Sequence, residues 1–591
     1  MIRVKSNISL IEMMLELWGK IEGINRRQIF QILFLMLLAS FAEMLSISAI
    51  FPFLAILIDP DRLMQSFYVQ KFLVFWGIDS TKNLLSLFTG IFCFVTIVAA
   101  VIRVALTKVT ASCSNRIGAK LSLDMYRRSL YEPYLNHTSK NSSEVISQIS
   151  ASGTLVGGVI APSLNLINSI ILFFGILGAL ILVSPFITLA LAGLFGLVYY
   201  GLMRLVRVRL QLNSERILRE SANVTKSLQE GLGGIREVIL EGSQEFYCQI
   251  YEKADLPLRQ AYVDNIFLGV APRFFIEALG IILIAILAYC LSQFGGAGAV
   301  TIPVLGALAL GAQRLLPVLQ QIYSSIITIQ SSRPTLRVCL NLLNQPLPSS
   351  HLLNFSRLSF EKEIRIEGVN FQYFSGTKWV LKSVNLNIPK GGRIGIVGPT
   401  GGGKSTLLDI LMGLLEPSSG NLVVDDVVIN AENIGSWRSH IAHVPQSIYL
   451  TDASIAQNIA FGIEADSIDF ERVKRAAGYA QLTKFIDELP EGYDTHVGER
   501  GVRLSGGQRQ RIGIARALYK QADVLVFDEA TSALDGNTEG EVMEAINSLS
   551  KELTIILVAH RLTTLKSCDL VVEVAQGAIQ KVGSYNDLIK S

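Results

Sequence analysis

Two patterns of apolar spacing divide the chain near residue 340. Before it, apolar residues run on without alternation over lengths of about 20 or more, which is what an α-helix needs to cross a bilayer. Six such runs are read, at 29–58, 84–106, 155–183, 186–205, 266–291 and 300–329. Only Ser184 and Pro185 separate the third from the fourth, which predicts a tight helical hairpin. Buried helices of a soluble core are the competing reading, and six runs of this length weigh against it. After about residue 360 the runs shorten to strand length, at 364–371, 384–388 and 392–397. Pro346, Pro348, Ser349 and Ser350 mark a linker at 341–360. The expected organisation is an all-α six-helix transmembrane domain over 1–340, then an α/β domain over 361–591.

Composition agrees. The 591 residues suggest several domains. Hydrophobic residues make up 50% and charged residues 17%, against about 25% charged in ordinary soluble domains, so a purely cytosolic enzyme is excluded. Disorder is excluded too, since it requires low hydrophobicity and high net charge. A net charge of +3 gives no basic face for nucleic acid, and no nucleic-acid partner is expected. The six cysteines form no CxxC pair, which argues against a disulfide framework or a zinc site. Glu12, Glu16 and Glu22 interrupt the N-terminal stretch, so no cleaved targeting peptide is expected.

Lys and Arg are unevenly placed. The stretch 112–150 carries five, 204–262 carries nine, and the loop 59–82 carries three. The positive-inside rule puts the two long stretches, the N-terminus and the C-terminal domain in the cytoplasm. Both long stretches keep helical periodicity and read as continuations of the spans, with turns near 133–143 and 230–242.

The C-terminal domain carries nucleotide chemistry. Gly398-Pro-Thr-Gly-Gly-Gly-Lys404-Ser405 fits GxxxxGK[ST], follows an apolar strand and opens a helical run from Thr406. Such a loop wraps phosphates with backbone N–H groups and adds the helix dipole, which makes Gly398, Thr400, Gly401, Gly403, Lys404, Ser405 and Thr406 the candidate ATP ligands. Lys404 is expected to reach the β- and γ-phosphates, and Ser405 to ligate Mg2+. The buried run 524–527 ends in Asp528 and Glu529. The first suits magnesium and the second suits polarising the attacking water.

The remaining motifs resemble the ATP-binding-cassette (ABC) ATPases. Leu504-Ser505-Gly506-Gly507-Gln508 matches their signature, and the resemblance covers 361–591. It implies that Tyr373 stacks on adenine, that Gln446 is the Q-loop glutamine and a magnesium ligand, that 532–535 is the D-loop, and that His560 is the switch histidine. Gly498-Glu499-Arg500-Gly501 resembles the motif that precedes the signature in exporters. Catalysis would then rest on Glu529, His560 and Gln446. The resemblance further implies that Ser505, Gly506, Gly507 and Gln508 of one subunit complete the ATP site of another. One cassette behind six spans is similar to an ABC exporter half-transporter, and a homodimer is expected.

Intramembrane charge points to the cargo. Arg103, Arg273 and Arg314 lie 19, 18 and 14 residues from the outer ends of their runs, about 21–28 Å deep at about 1.5 Å per residue. Charges inside spans are functional candidates, and a belt of guanidinium groups fits an anionic headgroup. Snorkelling of Arg103, and pairing of Arg273 with Glu277 one turn away, are the competing readings. Leu63, Met64, Phe67, Tyr68, Phe72, Phe75 and Trp76 recur at helical spacing, which predicts an amphipathic loop helix over 63–78. That helix and the arginines resemble flippases of polyprenyl-pyrophosphate-linked oligosaccharides. The expectation is an ATP-driven exporter of the bacterial cytoplasmic (inner) membrane that moves an anionic, glycan-bearing lipid outward. A general lipid or multidrug exporter is the alternative. A soluble ABC ATPase is excluded by the spans, and a peptide-processing exporter by the lack of a Cys/His protease domain ahead of them.

Overall fold

The computed structural model describes residues 9–21, 26–58, 81–183, 185–294, 301–347, 358–374, 376–529, 536–547, 552–559 and 562–589. The expected loop helix 63–78, the D-loop 532–535 and His560 lie outside the described residues. The chain forms two compact units. One holds residues 1–132 and 140–347, and the other holds 133–139 and 348–591.

The first unit is helical. Its elements are α1 (Leu10–Lys20), α2 (Arg26–Ile58), α3 (Thr81–Leu130), α5 (Ser142–Leu155), α6 (Ala161–Val183), α7 (Pro185–Gly233), α8 (Ile235–Leu240), α9 (Gln244–Phe294), α10 (Thr301–Ser331) and α11 (Arg333–Leu343), with α4 (Tyr134–Ser139) grouped into the second unit. Among the described residues four helical stretches are long and apolar enough to cross a membrane: Leu85–Leu130, Ser142–Ile181, Thr188–Gly233 and Gln244–Leu283. The physical reason is that a chain in lipid must satisfy its own backbone, which a helix does within one segment. The expected runs 29–58 and 300–329 fall on α2 and α10. The protein is a multi-pass membrane protein.

Apolar side chains such as Phe94, Val104, Leu197, Phe274 and Phe275 remain exposed on the helices, as lipid-facing residues would. Inward, α2 packs along α3, α7 along α9, and α6 along α10. Helices α3, α7 and α9 continue past their apolar stretches, and within the two regions where turns were expected the short helices α4 and α8 stand between turn residues. Leu135 of α4 packs on the core of the second unit. A five-residue π-helix, Val156–Ile160, joins α5 to α6. A Cβ on its Gly158 would stand 2.1 Å from Ser332 Oγ, so only glycine lets the segment approach the start of α11 this closely.

Two proline-bearing helices clasp each other. Pro272 in α9 has no N–H for the carbonyl of Leu268, four residues back. Tyr323 Oη of α10 donates to that carbonyl at 3.1 Å. Gln320 Nε2 donates to the next one, of Gly269, at 2.9 Å, and Gln320 Oε1 accepts from Tyr199 Oη of α7 at 3.1 Å. Tyr323 is fully buried, so its hydroxyl replaces a bond that water cannot supply, while Gln320 adds a second tie between the helices.

The second unit holds two sheets. An antiparallel sheet has the order β2 (Leu381–Pro389), β1 (Glu363–Phe371), β4 (Ser419–Val424), β5 (Val427–Val428). A six-stranded sheet has the order β10 (Ala578–Gly583), β9 (Leu570–Ala575), β3 (Arg393–Val397), β8 (Thr554–Val558), β7 (Val524–Asp528), β6 (Ile441–Val444). All its pairs are parallel except β9 with β10. Every residue of β8 is buried, as is 524–527 of β7, which is the continuous apolar pattern of a sheet covered on both faces.

Candidate functional site

Strand register assembles the site. Val558 at the end of β8 pairs with Ile396 on one side and with Asp528 on the other. The loop after β3 and the carboxylates after β7 therefore emerge together at the carboxyl edge of the parallel strands, where open α/β sheets bind ligands.

The glycine-rich loop fills that edge. Gly398 has φ +144°, and a Cβ there would lie 2.0 Å from the carbonyl oxygen of Val574. Gly403, at φ +105°, is the N-cap of the loop helix α12 (Lys404–Leu411). Lys404 is buried, and its Nζ donates to the carbonyls of Gly398 and Pro399 at 2.8 and 3.1 Å, across the mouth of the loop. Thr400, Gly401 and Ser405 are exposed on the loop surface. Thr406 is buried, and its hydroxyl shares a 3.2 Å hydrogen bond with Tyr373 Oη. Tyr373 in turn packs edge-on against Phe371.

The carboxylates are arranged asymmetrically. Glu529 takes φ +52°, a strained left-handed conformation for a non-glycine residue, and its N–H donates to the Val558 carbonyl at 3.0 Å. Gln446 Nε2 donates to Glu529 Oε2 at 2.7 Å. The structure thus brings together two of the three residues expected to act in catalysis. Asp409 of α12 is an addition. Burial, and then the charge of Asp528, push its carboxyl up to about 6. An unexpected acid inside the loop helix was visible in the sequence, but not its proximity to Asp528.

Those carboxylates fit a cation. Asp528 and the raised Asp409 bring negative charge together at the edge from which the glycine-rich loop and its exposed Ser405 emerge. Among the described residues no cluster of three His, Cys, Asp or Glu could hold a metal by itself. Magnesium takes few protein ligands and completes its shell with water and phosphate.

The signature lies at the start of α13 (Gly506–Tyr519). Ser505 is its N-cap, with Gln508 N donating to Ser505 Oγ at 3.2 Å and Ser505 N donating to Gln508 Oε1 at 2.8 Å. This reciprocal box fixes the turn, while Ser505 and Gly506 stay exposed. Arg500, just before, is held at φ +53°.

The intramembrane arginines are not a bare belt of charge. Arg103 lies 3.5 Å from Glu43 of α2, a buried carboxylate that the sequence reading passed over. Arg273 lies 3.8 Å from Glu277. Two of the three charges therefore carry a carboxylate neighbour, and for Arg273 it is Glu277, the pairing weighed as a competing reading. Both guanidinium side chains remain more than half exposed, at 53% and 58%. Arg314 lies on α10, and its side chain is outside the described residues.

Known proteins share this arrangement. The family model described as ABC transporter matches residues 381–532, and the one described as ABC transporter transmembrane region matches 29–315. The chain is 31% identical over 415 residues to an ATP-dependent lipid A-core flippase of Alkalilimnicola ehrlichii, covering 68% of this chain and 69% of that one. It is 29% identical over 508 residues to a flippase of the same name from Ralstonia nicotianae, covering 84% of each. It is 34% identical over 403 residues to the heterocyst differentiation ATP-binding protein HepA of a Nostoc species, covering 67% of this chain and 64% of that one. The solved structure of a bacterial Atm1-family ABC exporter with ATP bound superposes with a TM-score of 0.78 at 23% identity, covering 96% of this chain and 97% of that one.

Proposed function

The chain belongs to the ABC transporter family, as an exporter-type membrane region followed by one ATPase cassette, and from that premise we propose that it works as a homodimer that hydrolyses ATP to flip an anionic, glycan-bearing lipid outward across the bacterial cytoplasmic membrane. The observation that carries the cargo is the pair of half-exposed guanidinium groups, Arg103 and Arg273, each beside one carboxylate in a predominantly apolar run. A general apolar-lipid or drug pathway needs no such groups, whose presence inside spans is costly. The lipid A-core flippases among its relatives support the same class of cargo.

In this reading the N-terminus and the cassette are cytoplasmic, in keeping with the Lys and Arg in 112–150 and 204–262. Gly398, Thr400, Gly401, Gly403 and Thr406 belong to the phosphate cradle. Lys404 leaves its carbonyl partners for the β- and γ-phosphates, and Tyr373, held beside the loop by Thr406, stacks on adenine. Ser405, Asp528 and Gln446 would hold magnesium, which would neutralise phosphate charge. Glu529, oriented by Gln446, accepts the proton of the attacking water, and His560 contacts the γ-phosphate. Ser505, Gly506, Gly507 and Gln508 stand at a helix N-terminus, the first two exposed, and would receive the γ-phosphate bound by a second copy.

The test is mass spectrometry of lipids that copurify with a Glu529→Gln chain from native membranes. Enrichment of a phosphate- or pyrophosphate-linked glycolipid, lost in Arg103→Ala/Arg273→Ala, is expected. Bulk phospholipid alone, unchanged by those substitutions, would favour the general exporter.

A further inference from the structure

A cavity of about 600 Å³ opens in the helical unit, away from the arginines discussed above. One wall is the α7 face carrying Arg207, Gln211 and Glu215 at four-residue intervals, and the other is α11 with Arg333 and Arg337, again one turn apart. Ser9, the N-cap of α1, closes one side. That volume lies within the range of small-molecule sites. Its charge is unbalanced, with three guanidinium groups against one carboxylate. Glu215 accepts from Gln211 Nε2 at 3.2 Å. Among the described residues neither Arg207 nor Arg337 has an ion-pair or hydrogen-bond partner, and both are exposed.

Its depth is informative. Arg207 lies 22 residues after Pro185, the start of α7, or about 33 Å along a helix. A bilayer's hydrocarbon core is about 30 Å thick, so Arg207 stands at headgroup level. Its neighbours Leu205 and Val208 are exposed apolar residues. Helix α1 buries Met13 and Leu17 while exposing Ile11 and Leu15, the pattern of a helix lying in a membrane interface. The cavity therefore sits at the membrane surface, with a wet side and a lipid side.

We propose that this cavity is a second anion site, built to hold a phosphate-bearing group on paired guanidinium forks at the membrane surface. Arg333, half-buried in the α11 wall, supplies the fixed charge, and Arg207 and Arg337 close on the anion from the two walls. Glu215 opposes the anion and limits its affinity, so that the ligand can leave. The phosphate can come from a lipid headgroup entering past α1 or from a soluble phosphate ester. The site's place at the cytoplasmic surface rests on the orientation proposed above, but its anion chemistry does not.

The experiment uses the full-length Lys404→Ala chain, so that the glycine-rich loop contributes little phosphate binding. One arm titrates inorganic pyrophosphate against the protein in detergent. The other places the protein in nanodiscs of phosphatidylcholine with and without phosphatidic acid and counts bound lipid by native mass spectrometry. In at least one arm, adding Arg207→Ala/Arg337→Ala should weaken binding about ten- to a hundredfold, the cost of charge-assisted hydrogen bonds. Glu215→Gln should tighten binding severalfold in the same arm, which a folding defect would not do. A response in the nanodisc arm identifies the headgroup as the source, and a response confined to pyrophosphate identifies a soluble ester. No change in either arm with both substitutions would overturn the site and leave an ordinary solvated basic surface. Neither arm depends on transport direction, so failure of the flippase reading would appear separately, in transport assays.

Discussion

The clasp between α9 and α10 makes a sharp energetic prediction. Tyr323→Phe removes one hydroxyl from a fully buried ring and leaves the Leu268 carbonyl with no donor, because residue 272 is proline. An unsatisfied buried acceptor costs about 1–3 kcal/mol. Hydrogen bonds between membrane helices average about 0.6 kcal/mol and reach about 1.7, since the unfolded state in the bilayer also finds partners. A loss of about 1–1.5 kcal/mol is therefore expected for Tyr323→Phe. Pro272→Ala restores the missing N–H, so in that background the same Tyr323→Phe change should cost well under half as much. The assay is a double-mutant cycle of detergent-solubilised full-length protein, read by denaturant-dependent loss of helical circular dichroism. A Tyr323→Phe penalty that is equal with and without the Pro272→Ala substitution would refute the argument that Tyr323 substitutes for a helical donor.

Further outcomes follow from the cassette. Glu529→Gln should bind ATP yet lower turnover by about 10²–10⁴-fold, the contribution of a positioned general base, in a phosphate-release assay; wild-type turnover would assign the base elsewhere. Gly398→Ala should weaken ATP binding severely, because the new Cβ would lie 2.0 Å from the Val574 carbonyl at a φ of +144°, as titration with a fluorescent ATP analogue would show. Asp409→Asn should stabilise the nucleotide-free protein at neutral pH. The raised carboxyl is ionised at a penalty above about pH 6 and carries none below its ordinary 3.8, so the gain should be full at pH 7.5 and gone by about pH 4. Discounted for partial exposure it should be about 1–2 kcal/mol, measured by thermal unfolding at the two pH values.

Much of this was legible in the chain. Apolar runs reveal spans because a helix is the only way one isolated segment satisfies its backbone in lipid. The loop at 398–405 and the acids at 528–529 were legible because strand, turn and helix each leave a local pattern. What was hidden depends on how helices rotate against one another. Glu43 was visible as a lone acid inside an apolar run, but its meeting with Arg103, 60 positions away, is set by the packing of α2 on α3. Pro272 was equally visible, while its rescuer Tyr323 depends on the facing of α10. The π-helix at Val156–Ile160 left only Gly157 and Gly158 as a trace, too common a pair to read.

The central claim is that ATP hydrolysis in this chain drives outward movement of an anionic glycolipid. Its most direct test is a proteoliposome assay with a fluorescent pyrophosphate-linked glycolipid, scoring protection from an external quencher while ATPase is measured on the same vesicles. Wild type should move the probe only with ATP, Glu529→Gln should not move it, and Arg273→Ala should keep hydrolysing ATP while transport falls. Brisk ATPase with no movement of the probe in wild type, or normal movement in the Arg103→Ala/Arg273→Ala/Arg314→Ala chain, would contradict the account.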